Sequence, residues 1–198
     1  MRLFVALNLP AAERRRIVET TRGLREGEFA VRWVGPEQLH VTLKFLGEVR
    51  DARVAEIERA VEGAARAADP FELRLGGVGG FPNLRSPRVV WLGIEPVPEL
   101  ETLYAEVETR LEALGFERET RPFHPHLTLG RARRGARAAH LRGLDSVAGA
   151  VEYRGTVRAE TLDLVRSRLK RSGATYEVRH AAPLGAARGG EERRESGT

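Results

Sequence analysis

The chain has 198 residues, with 33 Lys plus Arg against 28 Asp plus Glu and no cysteine. This length suits one globular domain or two fused small lobes. The missing cysteine excludes disulfide frameworks, thiol nucleophiles, iron–sulfur clusters and cysteine-ligated zinc. The formal net charge of +5 permits an anionic partner without requiring one.

Strand and helix patterns alternate along the chain. Strands are predicted at Arg2–Asn8, Val31–Val34, Gln38–Leu46, Phe71–Leu75, Arg88–Ile94, His126–Arg131, Val151–Val157, Thr161–Arg168 and Thr175–His180. Helices are predicted from Pro10 to about Arg25, from Asp51 to about Ala67, from Val97 to Leu114, and over Ala136–Leu144. Strands that often follow one another directly indicate an α+β fold rather than a doubly wound parallel sheet.

The extent of the domain also follows from composition. We expect one domain over residues 1–184 and a disordered tail over residues 185–198, which lack any apolar side chain larger than Ala. The glycine- and proline-rich stretch Gly76–Pro87 predicts a mobile loop and lacks the features of a phosphate loop. The apolar opening ends at Pro10 without a cleavage signal, so a cytoplasmic protein with no membrane segment is expected.

One tetrapeptide occurs twice, as His40-Val41-Thr42-Leu43 and, 86 residues later, as His126-Leu127-Thr128-Leu129. The chance expectation for two copies of His-x-Thr-Leu is roughly 0.005, after allowance for choosing the pattern once it has been seen. In a strand, residues i and i+2 project from the same face. Each copy therefore places its His and Thr on one face and its two apolar residues on the other.

Two imidazoles and two hydroxyls around one pocket suit acid–base chemistry on a phosphodiester. Histidine titrates near neutral pH and serves as base or acid. A threonine hydroxyl donates hydrogen bonds to non-bridging phosphate oxygens as charge develops. This chemistry needs no metal or other cofactor.

The residues around both motifs resemble the 2H phosphoesterase superfamily, and within it the RNA 2′,3′-cyclic phosphodiesterases, also called 2′-5′ RNA ligases. The resemblance covers Arg2 to about Leu184, neither motif departs from the His-x-Thr-x pattern, and the matching stretches are Arg2–Leu7, Leu39–Val49, Gly77–Pro82 and Arg121–Leu129. It implies two lobes related by a pseudo-twofold axis, with a central cleft that holds both motifs.

The resemblance also implies a reaction and its residues. The expected activity is metal-independent hydrolysis of an RNA-terminal 2′,3′-cyclic phosphate to a 2′-phosphate, with His40 as proton donor and His126 as proton acceptor. Thr42 and Thr128 would hold the phosphate. The expected partner is an RNA or nucleotide with a cyclic phosphate end, with no obligatory protein partner and a monomer as the default. The alternatives are 2′-5′ RNA end ligation (the reverse reaction), hydrolysis of another small cyclic phosphate, and a non-catalytic RNA- or nucleotide-binding module.

Three further residues are candidates for substrate binding. Lys44 continues the strand face of His40, where it either supports the substrate anion or extends beyond the pocket as a solvated charge. Strict alternation puts Arg131 on the opposite face from His126, so it reaches the pocket only if the strand ends or bulges. Phe81 is a candidate platform for base stacking.

Two other hypotheses concern charge and metals. Arg131, Arg133, Arg134 and Arg137 form a basic cluster after the second motif, which either contacts RNA phosphates outside the catalytic centre or is a solvated rim. His124 and His126 have the spacing of a His-x-His chelate, but no Cys and no nearby Asp or Glu completes a ligand set.

Overall fold

In a computed structural model of the chain, residues 1–170 and 173–185 are described, with only the backbone for Lys170. These residues form nine strands and five α-helices. Their order is β1 (Arg2–Asn8), α1 (Ala11–Thr20), α2 (Arg22–Glu26), β2 (Val31–Trp33), β3 (His40–Glu48), α3 (Val54–Arg66), β4 (Phe71–Phe81), β5 (Val89–Ile94), α4 (Pro98–Glu112), β6 (His126–Ala132), α5 (Leu144–Gly149), β7 (Arg154–Ala159), β8 (Thr161–Lys170) and β9 (Gly173–Pro183). The predicted tail lies outside the described residues, apart from Gly185.

The strands form one antiparallel sheet in the order β7-β4-β5-β6-β3-β1-β8-β9, and β2 also pairs with β6. The two central strands, β6 and β3, carry the two His-x-Thr-Leu motifs. On one side of this pair lie β1, β8 and β9, which with β3 form the first lobe. On the other side lie β5, β4 and β7, which with β6 and β2 form the second lobe. The predicted α+β fold with two pseudo-twofold lobes is therefore confirmed.

The sheet buries one face under the helices. Leu3, Val5 and Leu7 of β1 point into the main core, whereas Phe4 and Ala6, on the other face, pack with Val165 in a smaller cluster. The two longest helices of this layer contact each other and the strands beneath them: α3 packs on β8, β9 and α4, and α4 also reaches β3. The smaller cluster lies on the face that carries the motif histidines.

The prediction of a loop from Gly76 to Pro87 is wrong for its first half, because residues 76–81 extend β4 and residues 78–81 pair with β5. Glycine is required here by packing. A Cβ on Gly79 would lie 2.1 Å from the ring of Trp91, which packs across the backbone of β4. Gly77, at the irregularity in this pairing, has a φ of +71°, a conformation that favours glycine.

A buried ion pair connects β3, which carries the first motif, with α4 and the segment that precedes β6, which carries the second motif. Lys44 of β3 donates to Glu108 Oε2 of α4 at 2.8 Å and to the carbonyl oxygen of Glu117 at 2.7 Å. The same Glu108 oxygen accepts from the backbone N–H of Glu119 at 3.1 Å. Both charged side chains are at most 5% exposed. The pair therefore ties β3 to the segment that leads into β6.

In the part of the chain that the structure describes, no helix is long and apolar enough to cross a membrane.

We expect Glu108→Leu to lower the free energy of unfolding by about 3–5 kcal/mol, because it leaves a buried ammonium without its counter-ion. Adding Lys44→Met to this variant should restore most of the loss, since a buried ion pair is replaceable by apolar groups. Chemical denaturation monitored by circular dichroism measures both effects.

The matched control is Glu106→Ala on the same helix, which breaks the exposed Glu106–Arg110 pair and should cost less than about 1 kcal/mol. Equal losses in Glu108→Leu and Glu106→Ala would show that the buried pair has no special role in the fold.

Candidate active site

The two motifs meet where β3 and β6 pair. Their registered contact is Val41 opposite Leu127, the second residue of each motif. In an antiparallel pair, residues directly opposite each other lie on the same face. Continuing the register by one residue in each direction places His40 opposite Thr128 and His126 opposite Thr42. All four polar side chains are thus brought together on one face, each half-buried, about an axis through the central pair.

A β-bulge follows the first motif and changes which residues share its face. Neighbouring residues of β1 pair with Thr42 and Lys44, so Leu43 is an extra residue. The bulge turns Lys44 to the helix-covered face, where it pairs with Glu108. The expectation that Lys44 continues the face of the first motif is therefore wrong. Phe45 takes that place and is 62% exposed.

A second bulge follows the second motif at the equivalent position. Neighbouring residues of β5 pair with Thr128 and Gly130, so Leu129 is the extra residue. The bulge satisfies the condition under which Arg131 reaches the motif face, and Arg131 is exposed there. Arg131 in the second lobe thus corresponds to Phe45 in the first. The symmetric backbone presents one cation and one aromatic ring.

Matching hydrogen bonds orient the two imidazoles. His126 Nδ1 lies 2.8 Å from the carbonyl oxygen of His124, and His40 bonds to the backbone of Gln38. In both cases the partner lies two residues before the motif histidine. A carbonyl accepts only from a protonated Nδ1, so Nε2 of His126 is left for chemistry in the cleft.

Aromatic rings flank each motif histidine. The ring of His40 lies 4.7 Å from that of Phe4 and 5.0 Å, edge-on, from that of Tyr176. Sequence reasoning did not identify Tyr176, because β9 approaches the motif only through the pairing of β8 with β1.

The second histidine has its own aromatic wall. The ring of Phe81 lies 5.1 Å from that of His126 and 5.2 Å from that of His124. Trp91 lies 5.3 Å from Phe81 and 6.4 Å from His126. The structure therefore places Phe81 beside the motif. It also places Trp91 at the same wall, where its indole N–H has no partner among the described residues.

Burial lowers the pKa of both imidazoles. For His40 the pKa falls to about 4 because burial, and then the charges of Arg131 and His126, outweigh the hydrogen bond to Gln38. For His126 burial is again the largest cause of the lowered pKa. The hydrogen bond to the His124 carbonyl raises this pKa, and the charges of His124 and Arg131 lower it. Both imidazoles are consequently neutral at pH 7, and both respond to Arg131.

A polar pair lies beside the first histidine. Asn8, opposite His40 in the β1–β3 pairing, donates from Nδ2 to Asp163 Oδ2 at 2.6 Å. Asp163 is buried, and this burial raises its pKa despite hydrogen bonds from Asn8 and Thr161. The other carboxyl oxygen of Asp163, Oδ1, is shielded from solvent and has no hydrogen-bond partner among the described residues.

The remaining histidines do not form a metal site in the described ranges. Among residues 1–170 and 173–185, no group of three His, Asp or Glu is placed to hold a metal ion. His124 and His126 have ring centroids 6.5 Å apart, and His126 Nδ1 is engaged by the carbonyl of His124.

Comparison with protein families gives a match to the model of the 2′-5′ RNA ligase superfamily over residues 9–171. A relative from Methanothermobacter thermautotrophicus, named RNA 2′,3′-cyclic phosphodiesterase, is 35% identical over 176 residues, which cover 89% of this chain and 95% of the relative.

Solved structures show the same architecture. The protein TT0787 of Thermus thermophilus is 34% identical with a TM-score of 0.74, and the alignment covers 93% of this chain and 98% of that one. Escherichia coli LigT in complex with NADP+ is 31% identical with a TM-score of 0.70, covering 92% and 96% of the two chains.

We expect Arg131→Met to raise the pKa of both His40 and His126, because the arginine charge is one cause of each lowered value. Titration of the imidazole resonances by heteronuclear NMR measures the shift. Arg134→Met, which removes an arginine that does not perturb either imidazole, is the control and should leave both titrations unchanged. Unchanged values in Arg131→Met would mean that Arg131 does not act on the motif histidines.

Proposed function

Because the chain belongs to the 2′-5′ RNA ligase superfamily, we propose that it hydrolyses the 2′,3′-cyclic phosphate at the end of an RNA to a 2′-phosphate. His40 and His126 act as acid and base, and no metal ion takes part. The observation that carries the proposal is the antiparallel pairing of the two motifs, which turns both imidazoles and both hydroxyls onto one face.

The family relatives support the reaction class. The relative from Methanothermobacter thermautotrophicus matches nearly the whole chain and is named for this phosphodiesterase activity. The site supplies what such a reaction needs: two groups that exchange protons near neutral pH, and donors that hold a phosphate.

The phosphate is held between the lobes by Thr42, Thr128 and Arg131. The two hydroxyls lie on the face of the histidines and donate to non-bridging oxygens. Arg131 adds a guanidinium, the group best matched to a phosphate. Since Phe45 stands at the equivalent place in the first lobe, the positive charge is concentrated in the second lobe.

The bond changes are simple. His126 Nε2 takes a proton from water as the water oxygen forms a bond to phosphorus. The bond from phosphorus to O3′ breaks, and His40 Nε2 gives its proton to O3′. The product carries a 2′-phosphate and a free 3′-hydroxyl, and the two imidazoles have exchanged protonation states. A proton exchange with solvent restores the starting state.

Binding of the anionic substrate favours protonation of His40. Both imidazoles are neutral at pH 7 in the free protein, so His40 must gain a proton before it acts as an acid. An anionic phosphate beside the ring favours the charged imidazolium and raises its pKa. Substrate binding therefore converts a buried neutral imidazole into the acid that the departing O3′ requires.

Phe81 and Trp91 form the surface on which the terminal base stacks. Their rings adjoin His126 and are half-buried, so one face of the cleft is aromatic beside the phosphate position. Stacking on such a surface tolerates all four bases.

We expect wild-type protein to hydrolyse a nucleoside 2′,3′-cyclic phosphate in the presence of EDTA. His40→Ala and His126→Ala should each lower kcat by at least about 10²-fold, the usual contribution of general acid–base catalysis. Product formation is followed by ion-exchange chromatography, which separates the 2′-phosphate from its 3′ isomer.

His140→Ala is the matched control, because His140 lies in the exposed turn Ala138–Leu141, outside the catalytic face, and should retain full activity. Unimpaired turnover in either motif variant would refute the mechanism. Binding of the nucleotide without turnover by the wild type would instead indicate a binding module, and loss of turnover in EDTA would refute metal independence.

A further inference from the structure

A second basic concavity lies outside the catalytic face. We call it the arginine groove. It has a volume of about 960 Å³ and lies between the α2–β2 connection and the turn after β6. The residues that matter here are its basic and aromatic members, Arg25, Arg133, Arg142, Phe29, Trp33 and His140.

The groove and the catalytic cleft lie on opposite faces of the sheet. In the pairing of β2 with β6, Arg32 is opposite Arg131 and therefore shares its face, while Trp33 is opposite Gly130. Alternation along β2 directs Trp33 to the other side. A ligand in the groove thus contacts a surface separate from His40 and His126.

The arginines that line the groove have no carboxylate partner within the described chain. Arg25, Arg133 and Arg142 form no ion pair with any described residue, and Glu28 is the one acidic residue among the groove's described lining. Arg25 donates from Nη1 to the carbonyl of Val34 at 2.7 Å. Its Nη2 is shielded from solvent and has no hydrogen-bond partner in the described part of the chain.

The carboxylates of the described chain do not neutralise the groove arginines. Some exposed arginines outside the groove, such as Arg50 and Arg59, also form no ion pair with a described residue, whereas Arg66 and Arg168 have a carboxylate partner. Three convergent guanidinium groups without one leave a net positive surface, which attracts an anion.

Aromatic surface adjoins the charges. The Arg25 guanidinium lies 5.9 Å from the centroid of the Trp33 ring, and Phe29 lines the same groove. Phosphate-binding arginines combined with aromatic faces are the elements by which proteins bind single-stranded nucleic acid. A free inorganic anion would not use the aromatic part.

The groove begins where β6 ends, at the edge of the sheet that separates it from the catalytic face. Arg131 lies in the cleft and Arg133 lines the groove. The two residues are two positions apart, which is about 6.6 Å in an extended chain. The backbone N–H of Arg133 donates to the carbonyl of Ala30 at 2.7 Å, which fixes it beside β2. β2 pairs with β6 alone among the described strands, so its other side is a short free edge. An RNA strand that left the cleft past Arg32 would cross this edge to reach the groove.

We propose that the arginine groove binds the backbone phosphates of the RNA segment that lies 5′ to the cyclic end. This inference rests on the proposed function, since it assigns the continuation of the same substrate. It makes the protein prefer an RNA end over a cyclic mononucleotide, through contacts made away from the reacting phosphate.

The test compares two substrates in one pair of variants. The first substrate is a single-stranded RNA of about eight nucleotides, within the usual span of single-strand binding sites, with a 2′,3′-cyclic phosphate end. The second is a nucleoside 2′,3′-cyclic phosphate. The variants are Arg133→Ser/Arg142→Ser and the control Arg50→Ser/Arg59→Ser, which removes the same charge from exposed arginines outside the groove.

We expect the groove variant to raise KM for the RNA about tenfold while kcat/KM for the mononucleotide stays unchanged. The slope of log affinity for RNA against log salt should decrease in magnitude by about 1.4, for two phosphate contacts on a single strand. The control variant should match the wild type on both substrates. Equal losses on the two substrates, no loss on the RNA, or the same loss in the control would each overturn the proposal.

A binding assay separates failure of the groove from failure of the proposed function. Fluorescence anisotropy with a labelled RNA of the same length and an uncyclised 3′ end needs no turnover. Weaker RNA binding in the groove variant alone would support the groove even if no cyclic phosphate were hydrolysed. If the groove variant lost binding of inorganic phosphate and kept that of RNA, the groove would be a site for the free anion and the proposal would be wrong.

Discussion

The pairing of β3 with β6 is the constraint on which the whole site depends. These strands carry motifs separated by 86 residues, and Val41 opposite Leu127 is the contact that registers them. A slip of one residue would turn one motif's histidine and threonine toward the helices and its apolar pair toward the cleft. The buried side chains Val41 and Leu127 therefore fix the register through the hydrophobic core. The catalytic face follows from packing on the opposite side of the same strands.

The two β-bulges lie at equivalent positions in the two lobes, but the side chains that they bring to the face of the motifs differ. Each bulge follows the threonine of its motif and reverses the alternation beyond it. In the first lobe it buries Lys44 against Glu108 and exposes Phe45. In the second lobe it brings Arg131 to the catalytic face, while Gly130 leaves room for β2, since a Cβ there would lie 2.7 Å from the Trp33 ring. A near-twofold site thus gains one cation on the face of the motifs, and that cation lowers the pKa of both histidines.

Local patterns predicted most of the fold and the motif residues. Helical spacing identified α4, a short apolar run ended by Pro10 identified β1, alternation identified β6, and the repeat identified both histidines and threonines as candidates. The position of Lys44 was not predictable, because a bulge depends on how a neighbouring strand pairs. The strand character of residues 76–81 was hidden by glycines whose role is to accommodate the Trp91 ring. Tyr176 lies beside His40 because β3 pairs with β1, β1 with β8 and β8 with β9. No local sequence pattern predicts these pairings.

We propose that His40 protonates the leaving O3′ and that His126 activates the water. Substitution of the leaving-group atom distinguishes these two roles. In a nucleoside cyclic phosphorothiolate with sulfur in place of O3′, the departing thiolate needs no proton because its pKa is far lower than that of an alcohol. The measurement is kcat for His40→Ala and His126→Ala on this analogue and on the oxygen substrate. We expect sulfur to restore most of the activity of His40→Ala and none of that of His126→Ala. Equal rescue of both variants, or rescue of His126→Ala alone, would contradict it.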